Sequence, residues 1–161
     1  MKKLILVRHA KSDWDNPFLS DFDRPLNHRG LHDAPMMAER IIQKGHLPDV
    51  VVSSDARRAL DTAELMMEAW HNNSLSLHKE HILYHAPAET IFDIFKQHTS
   101  DFDSIMLVSH NPGITDFVLL FSNLKIDNVP TCGVMVFSFM DGDNDLRPFR
   151  LIDFDFPRNP S

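Results

Sequence analysis

Near its amino terminus the chain reads LILVRHAKS over residues 4–12. A short apolar run that stops abruptly at charged residues is typical of a buried β-strand. Such a strand delivers Arg8 and His9 together to its carboxyl end, which is the edge of an open α/β sheet where ligands bind. A guanidinium group fixes an anion, and an imidazole acts as a nucleophile, a base or an acid. We therefore expect the chemistry of this protein to begin at residues 8 and 9.

Two later apolar runs predict strands that end near the same kinds of side chain. Residues 49–53 lead within a few positions to Arg57 and Arg58, and residues 104–108 are followed closely by His110. If these strands are parallel neighbours of the first, their carboxyl ends lie side by side. Arginines and two imidazoles then converge on one pocket, and phosphate is the ligand that suits such a group best.

Apolar residues at helical spacing alternate with these strands, so the sequence predicts an α/β fold in a single domain over residues 1–161. Ser54 or Asp55 is predicted to cap the second helix. The long polar loop at 11–29 is expected to do more than connect, and residues 157–161 are expected to fray. The remaining expectations are helices over about 31–45, 56–70, 88–98 and 114–121, a brief strand at 82–84, and an edge pair or hairpin from 134–139 and 149–154 around a turn at 141–144.

The composition narrows the class of partner. Acidic residues outnumber basic ones, 23 to 16, which gives a formal charge of −7. This balance argues against general binding to nucleic acid or to an anionic membrane. The only cysteine, Cys132, excludes an internal disulfide and fits a reducing, cytoplasmic setting. The first apolar run ends at Val7, which is too short for a signal core or a membrane span, and no feature predicts an oligomeric state.

Three ordered motifs carry a resemblance to a known family. LVRHA at residues 6–10 resembles the Arg-His-Gly signature of the histidine phosphatase (phosphoglycerate mutase-like) superfamily. SDARRALDTA at 54–63 is similar to its second motif, Ser-x-x-x-Arg-Ala-x-x-Thr-Ala, and VSHNPG at 108–113 is similar to the third, which holds a second histidine. The small size, RHAKS at 8–12 and DRPLNHRG at 23–30 resemble the short phosphohistidine phosphatases of the SixA type.

The resemblance implies a three-layer α/β/α sandwich with a mostly parallel central sheet and helices on both faces. It implies that His9 attacks phosphorus to give a covalent phosphohistidine, and that His9 must be neutral to do so. Arg8, Arg58 and His110 would bind the phosphoryl oxygens, and the alignment selects Arg58 over Arg57. Arg24 and Ser12 are candidates for further substrate contacts. No metal and no cofactor is implied.

The residue that protonates the leaving group is left open by the sequence. Many family members carry a glutamate in a Leu-x-Glu context, and the matching stretch here is Leu83-Tyr84-His85. His85 therefore takes the position of the acid, and a histidine donates a proton near neutral pH. Glu80 and Glu89 are alternatives nearby. The pairs 28/32 and 81/85 have the spacing of metal-binding histidines, but no third ligand accompanies them, so we predict no metal site.

Three functions are consistent with these residues. The leading hypothesis is a SixA-like protein phosphohistidine phosphatase, because the chain lacks the large insertion with which mutases enclose small substrates. The second is a small-molecule phosphomonoesterase that acts on a sugar phosphate or a nucleotide. The third is a catalytically weak module that binds phosphate or a phosphoprotein.

Overall fold

A six-stranded sheet organises the computed structural model, which describes residues 2–72, 74–122, 124–139 and 149–159. Two 3-10 helices lie at Asp21–Asp23 and His81–Leu83. The strands are β1 (Lys2–Arg8), β2 (Val50–Ser53), β3 (Ser76–Lys79), β4 (Ser104–Ser109), β5 (Val134–Phe139) and β6 (Arg150–Asp155). The helices are α1 (His28–Gln43), α2 (Arg57–Trp70), α3 (Ala88–His98) and α4 (Gly113–Phe121).

The strand order is β3-β2-β4-β1-β5-β6, and the first four of these strands are parallel. Val108 of β4 is level with Val7 on one side and with Ser53 on the other, so the three strands end at one edge. β5 and β6 run antiparallel, which confirms the predicted pair at the end of the chain. The predicted turn between them, at 141–144, lies outside the described residues. This register brings the three motifs to a common edge, as predicted.

Helices cover both faces of the sheet, which confirms the three-layer arrangement. The alternation along β1 shows how the faces divide, because Leu4 and Leu6 point to one side and Ile5 and Val7 to the other. On the first side the sheet packs against α3 and α4 in a core rich in phenylalanine. On the second side it packs against α1 and α2 in a core where alanine and valine predominate.

The strand predicted at 82–84 is wrong. Ile82 and Leu83 belong to the 3-10 helix and Tyr84 caps its end. The Leu83 N–H donates to the Glu80 carbonyl at 3.1 Å, and Leu83 is buried. The strand in this region is β3, which pairs with β2 at the sheet edge. Its sequence, Ser-Leu-His-Lys, leaves only Leu77 half-buried, so no apolar run marks it.

One helix start and one capping residue differ from their predictions. Helix α1 begins near residue 28 because the Asn27 side chain accepts a hydrogen bond from the Gly30 N–H at 2.9 Å. Helix α2 follows Ala56, which makes no side-chain cap, so neither Ser54 nor Asp55 is its capping residue. The Ser54 hydroxyl instead accepts from the Ala56 N–H at 3.2 Å, one step outside the helix.

The segment predicted to fray is held in part. Arg158 lies 3.3 Å from the buried carboxylate of Asp33 on α1, and the Asn159 side chain donates to Asp155 at 3.0 Å. Residues 160–161 lie outside the described part of the chain. Among the described residues, no helix is long and apolar enough to cross a membrane.

Candidate active site

A polar cavity of about 210 Å³ opens at the carboxyl edge where β1 and β4 end. It contains every candidate that the motifs and the long loop supplied. The lining residues are Arg8, His9, Lys11, Ser12, Trp14, Asp21, Arg24, Arg58, His85, His110, Asn111 and Thr131.

His9 is buried, and its hydrogen bonds decide which ring nitrogen is free. Nδ1 lies 2.8 Å from the Ala10 carbonyl oxygen, and a carbonyl only accepts, so Nδ1 carries the proton. Nε2 of the neutral ring therefore keeps its lone pair. The backbone around the ring is fixed, because the His9 N–H donates to Ser109 and the Cys132 N–H donates to the His9 carbonyl.

The environment keeps the His9 ring neutral. Burial is the main cause, and the guanidinium groups of Arg58, Arg8 and Arg24 act in the same direction against the opposing hydrogen bond to Ala10. Together they lower the pKa of His9 from 6.5 to about 3. At neutral pH, His9 is therefore a neutral imidazole, protonated on Nδ1 only, beside three arginine cations.

A buried threonine ties the His9 loop to α2. The Ala10 N–H donates to Thr62 Oγ1 at 2.9 Å, and the Thr62 hydroxyl donates to the Arg58 carbonyl at 2.7 Å. The second motif includes this threonine, but the spacing of the motif does not indicate its partner Ala10, which follows the first strand. Thr62 thus fixes the distance between the two arginine-bearing motifs.

His110 lies beside His9, with the ring centroids 5.1 Å apart. Its Nε2 is 2.8 Å from Ser54 Oγ, while Nδ1 is buried and has no partner among the described residues. Burial, then His9 and Arg58, lower the pKa of His110 from 6.5 to about 3. The second histidine is therefore also neutral.

The two motif arginines are held by carbonyl oxygens. An Nη1–H of Arg8 donates to Val129 at 2.9 Å, and an Nη1–H of Arg58 donates to the backbone of Asp21 at 2.7 Å. Arg57, by contrast, lies on the exposed side of α2, 3.6 Å from Asp61. The structure thus places Arg58, and not Arg57, at the cavity.

Unpaired buried nitrogens concentrate in this site. Buried polar atoms nearly always have hydrogen-bond partners, so each exception indicates strain or a ligand. Five buried side-chain N or O atoms in the described part of the chain have no partner, and three belong to residues that line the cavity. These three are Arg8 Nε, Arg58 Nε and His110 Nδ1. Such a cluster suits an anion with several oxygens.

Arg24 and Ser12, the candidates for further substrate contacts, both line the cavity and are joined by a hydrogen bond. An Nη1–H of Arg24 donates to Ser12 Oγ at 2.6 Å, and both side chains are buried. The guanidinium carbon of Arg24 lies 3.4 Å from the centre of the Trp14 ring. This stacking on an aromatic face holds a loop arginine that would otherwise be solvated.

Asp21 is the principal residue that sequence reasoning missed. Its carboxylate accepts from Arg58 at 3.1 Å, from Arg24 at 3.0 Å and from the Tyr84 hydroxyl at 2.6 Å. Partial burial raises the pKa of Asp21, but the Tyr84 hydrogen bond and the two arginines outweigh it and hold the pKa well below its usual range. The ionised Asp21 carboxylate thus binds two cavity arginines, Arg58 and Arg24, at the same time. The only sequence signal was its place in the long polar loop.

Of the three candidate acids, His85 is the one that lines the cavity. Its side chain is 65% exposed, and its Nε2 lies 3.8 Å from Asp21 Oδ2. The ring stacks on Tyr84 with centroids 3.9 Å apart. Glu89 lines a separate groove between α3 and α4, and Glu80 lines neither cavity.

The described residues contain no group of three or more His, Cys, Asp or Glu side chains that could hold a metal ion. Of the predicted histidine pairs, His81 contacts Asp55 at 2.9 Å and His85 faces the cavity. The positive charge in the site comes from three guanidinium groups and the ammonium group of Lys11.

Comparison with known proteins agrees with this geometry. The sequence pattern of the histidine phosphatase superfamily (branch 1) matches residues 4–83. A solved structure from Agrobacterium tumefaciens, whose assignment as the phosphohistidine phosphatase SixA is itself provisional, superposes with a TM-score of 0.80. The two sequences are 31% identical, and the match covers 97% of this chain and 98% of the other.

Two curated relatives match over shorter shares of their length. An uncharacterized chloroplastic protein of Arabidopsis thaliana is 34% identical over 139 residues, which are 81% of this chain and 63% of that protein. A 2,3-bisphosphoglycerate-dependent phosphoglycerate mutase from Streptomyces avermitilis is 38% identical over 79 residues, 48% of this chain and 31% of the mutase. The chain thus spans less than two thirds of either relative.

Proposed function

Since the chain belongs to the histidine phosphatase superfamily, we propose that it hydrolyses a phosphorylated substrate through a covalent phosphohistidine on His9. The observation that carries this proposal is the state of His9: a buried, neutral ring whose Nε2 keeps its lone pair at a cavity lined by arginines. A neutral imidazole among cations is a nucleophile, whereas a protonated one is not.

The proposed reaction has two balanced steps. The Nε2 lone pair of His9 attacks phosphorus, and the bond to the leaving group breaks with its electron pair as the leaving group takes up a proton. Water then attacks the phosphohistidine and loses a proton, the P–N bond breaks, and Nε2 regains its lone pair. Arg8, Arg58 and His110 would hold the non-bridging oxygens, since all three residues line the cavity and each has a buried nitrogen without a hydrogen-bond partner among the described residues.

We assign the proton donor to His85. The assignment is supported by its place in the cavity wall and by its position 3.8 Å from the ionised Asp21. Arg24 and Ser12 would add contacts to the substrate from the loop side. Because arginine and lysine side chains supply positive charge in the cavity, we propose that no metal takes part, and turnover is expected to persist in excess EDTA.

For the substrate we propose phosphohistidine on a protein, in a reducing, cytoplasmic setting that suits the single buried Cys132. The likeness to the Agrobacterium tumefaciens protein over nearly the whole chain supports this choice. The second candidate is a small phosphomonoester such as a sugar phosphate or a nucleotide. It is favoured by the mutase relative from Streptomyces avermitilis, which matches 48% of this chain.

Turnover of a phosphohistidine-bearing protein, measured beside a panel of sugar phosphates and nucleotides, separates the two substrates. We expect the phosphoprotein to give the higher kcat/KM, and an equal or better value on a metabolite would overturn this choice. Brief reaction with labelled substrate followed by denaturation should leave an acid-labile phosphate on the protein, and His9→Ala should abolish it. Tight phosphate binding without a label would indicate a binding module instead.

The consecutive arginines of α2 provide a matched control. Arg58→Ala is expected to lower kcat/KM by at least about 100-fold, because it removes a cavity cation. Arg57→Ala removes an exposed arginine from the next position and should stay within about twofold of the wild type. Equal losses in the two variants would contradict a specific role of Arg58.

A further inference from the structure

Ser54 contacts the reaction centre only through another residue. It follows β2, it is fully buried, and its backbone N–H donates to the Val108 carbonyl at 3.0 Å. Its side chain does not line the cavity, yet its hydroxyl lies 2.8 Å from Nε2 of His110. This residue therefore acts on the site from behind the second histidine.

The hydroxyl proton of Ser54 can be assigned from its partners. Ser54 Oγ already accepts from the Ala56 N–H at 3.2 Å. Within the described residues, the one other polar atom in contact with this hydroxyl is His110 Nε2. Ser54 therefore donates its proton to Nε2 and satisfies both groups. The reverse bond, from an Nε2–H to Ser54, would leave the hydroxyl proton without an acceptor in a buried position.

We propose that Ser54 is a positioning residue that fixes neutral His110 as the Nδ1–H tautomer, and so turns its unpaired buried nitrogen into a hydrogen-bond donor for the transferred phosphoryl group. The proposal rests on the proposed function for the identity of the ligand. The tautomer assignment itself rests only on the geometry around Ser54 and His110. The hydrogen bond made by one ring nitrogen decides the protonation of the other.

The donor matters because a phosphoryl group presents only oxygens. An Nδ1–H stabilises the charge on these oxygens, whereas a lone pair at Nδ1 repels them. His9 is also in the Nδ1–H tautomer, but there the tautomer is fixed by a hydrogen bond from Nδ1–H to the Ala10 carbonyl. The two neighbouring rings thus have different chemical roles at the cavity, one as a nucleophile and one as a hydrogen-bond donor. His9 uses a lone pair on Nε2, and His110 uses a proton on Nδ1.

Long-range ¹H–¹⁵N NMR spectra of the imidazole rings test the proposal directly. In the wild type at neutral pH, His110 is expected to show a protonated Nδ1 and an unprotonated Nε2. Ser54→Ala should move His110 toward the Nε2–H tautomer while the His9 pattern stays unchanged. An Nε2–H tautomer in the wild type, or an unchanged His110 in Ser54→Ala, would overturn the proposal.

Kinetics supply the second measurement, with a matched control. Ser54→Ala should lower kcat by about 10- to 100-fold, and Ser54→Thr, which keeps the hydroxyl, should restore it to within a few-fold. Ser53→Ala removes the adjacent buried hydroxyl, which donates to the Ser54 carbonyl and does not contact His110. It should leave kcat and the His110 tautomer unchanged.

The outcomes separate this proposal from the proposed function. If the wild type shows the Nδ1–H tautomer but turns over no phosphorylated substrate, the tautomer assignment stands and the function fails. If turnover and the label on His9 are present but the tautomer is Nε2–H, the function stands and the role of Ser54 fails. Should Ser54→Ala not fold, the wild-type spectrum alone decides.

Discussion

His9 and His110 lie side by side without sharing a proton. Each ring has a low affinity for protons because the fold buries it among arginines. The chain therefore carries two neutral histidines in the folded state at a pH where unfolded histidines are partly charged. Because the protonation of these rings differs between the folded and unfolded chain, the pH dependence of the free energy of unfolding reports whether both rings are neutral in the site.

We expect the free energy of unfolding to decrease as the pH falls. Both histidines have a folded-state pKa of about 3 against 6.5 in the unfolded chain. Between these values the unfolded chain binds protons that the folded chain excludes, so stability is fully present above pH 6.5 and is lost toward pH 3. The loss is roughly 1–2 kcal/mol for each ring between about pH 7 and pH 5.

Denaturant titrations at the two pH values measure this difference. His9→Gln should remove the contribution of its own ring, roughly 1–2 kcal/mol between pH 7 and pH 5. His78→Gln, at an exposed position on β3, removes no buried ring and should leave most of the pH dependence in place. Equal pH dependence in wild type and His9→Gln would contradict the assignment of a neutral buried ring.

Thr62 offers a test of how the motifs are joined. Thr62→Val keeps the shape but leaves the Ala10 N–H without its acceptor, which should cost about 1–3 kcal/mol of stability. Thr62→Ser keeps the hydroxyl and is expected to recover most of that loss. Thermal or chemical denaturation of the pair provides the measurement, and a smaller loss in Thr62→Val than in Thr62→Ser would show that the methyl group, not the bond, matters.

Site residues that follow directly on a strand can be predicted from the sequence, whereas site residues held in place by long-range hydrogen bonds cannot. Arg8 and His110 follow apolar runs, so a rule about strand ends could place them. Asp21 and Tyr84 meet across a separation of 63 residues, through a loop that is bent by its own hydrogen bonds to arginine. No periodicity encodes such a meeting, because the partners are chosen by charge and not by repeat.

Among the secondary-structure elements, the central parallel strands can be predicted from the sequence, but the edge strand β3 cannot. Central strands are buried on both faces and therefore read as continuous apolar runs, as in β1 and β4. The edge strand β3 is mostly exposed, so its residues are largely polar and give no such run. The apolar triplet that followed it, at 82–84, was mistaken for the strand because a single buried leucine serves equally well in a 3-10 helix.

The start of α4 packs against the loop that carries His85. A Cβ added at Gly113 would lie 2.0 Å from the Ala86 carbonyl oxygen, so Gly113→Ala must displace that loop. We expect it to lower kcat/KM by at least about tenfold and to destabilise the fold by about 1–3 kcal/mol.

Gly45→Ala is the control for this prediction. Gly45 has a φ of +78° with no atom within 4 Å of the added Cβ, so alanine strains the backbone at a position far from the cavity. It should cost about 1–2 kcal/mol of stability and leave kcat unchanged. Loss of activity in both variants would indicate that α4 has no particular role in placing the loop.

Considered as a whole, the molecule has two unequal cores. The side covered by α3 and α4 contains a cluster of phenylalanines centred on Phe149, which is 1% exposed. Its ring lies within 6.3 Å, centroid to centroid, of Phe92, Phe95, Phe117, Phe121, Phe137 and Phe139. Since these rings come from α3, α4 and β5, Phe149 joins the end of the chain to its centre.

Phe149→Ala is therefore expected to destabilise the protein by about 3–5 kcal/mol. Phe18→Ala serves as the matched control, because Phe18 is 95% exposed and its loss should change stability by less than about 0.5 kcal/mol. Urea denaturation of both variants measures the difference. A small effect of Phe149→Ala would mean that the end of the chain is not part of the cooperative unit.

Because β1, β2 and β4 end at one edge of the sheet, a ligand bound in the cavity should change the stability of the folded state. The cavity is lined by residues as far apart in the sequence as Arg8 and His110, so it exists only when the strands that carry them are assembled. By mass action, an oxyanion that binds this cavity and not the unfolded chain raises the melting temperature in proportion to the logarithm of its concentration. Inorganic phosphate or vanadate in the buffer would thus act as a thermal stabiliser. A melting curve would then report affinity without any turnover.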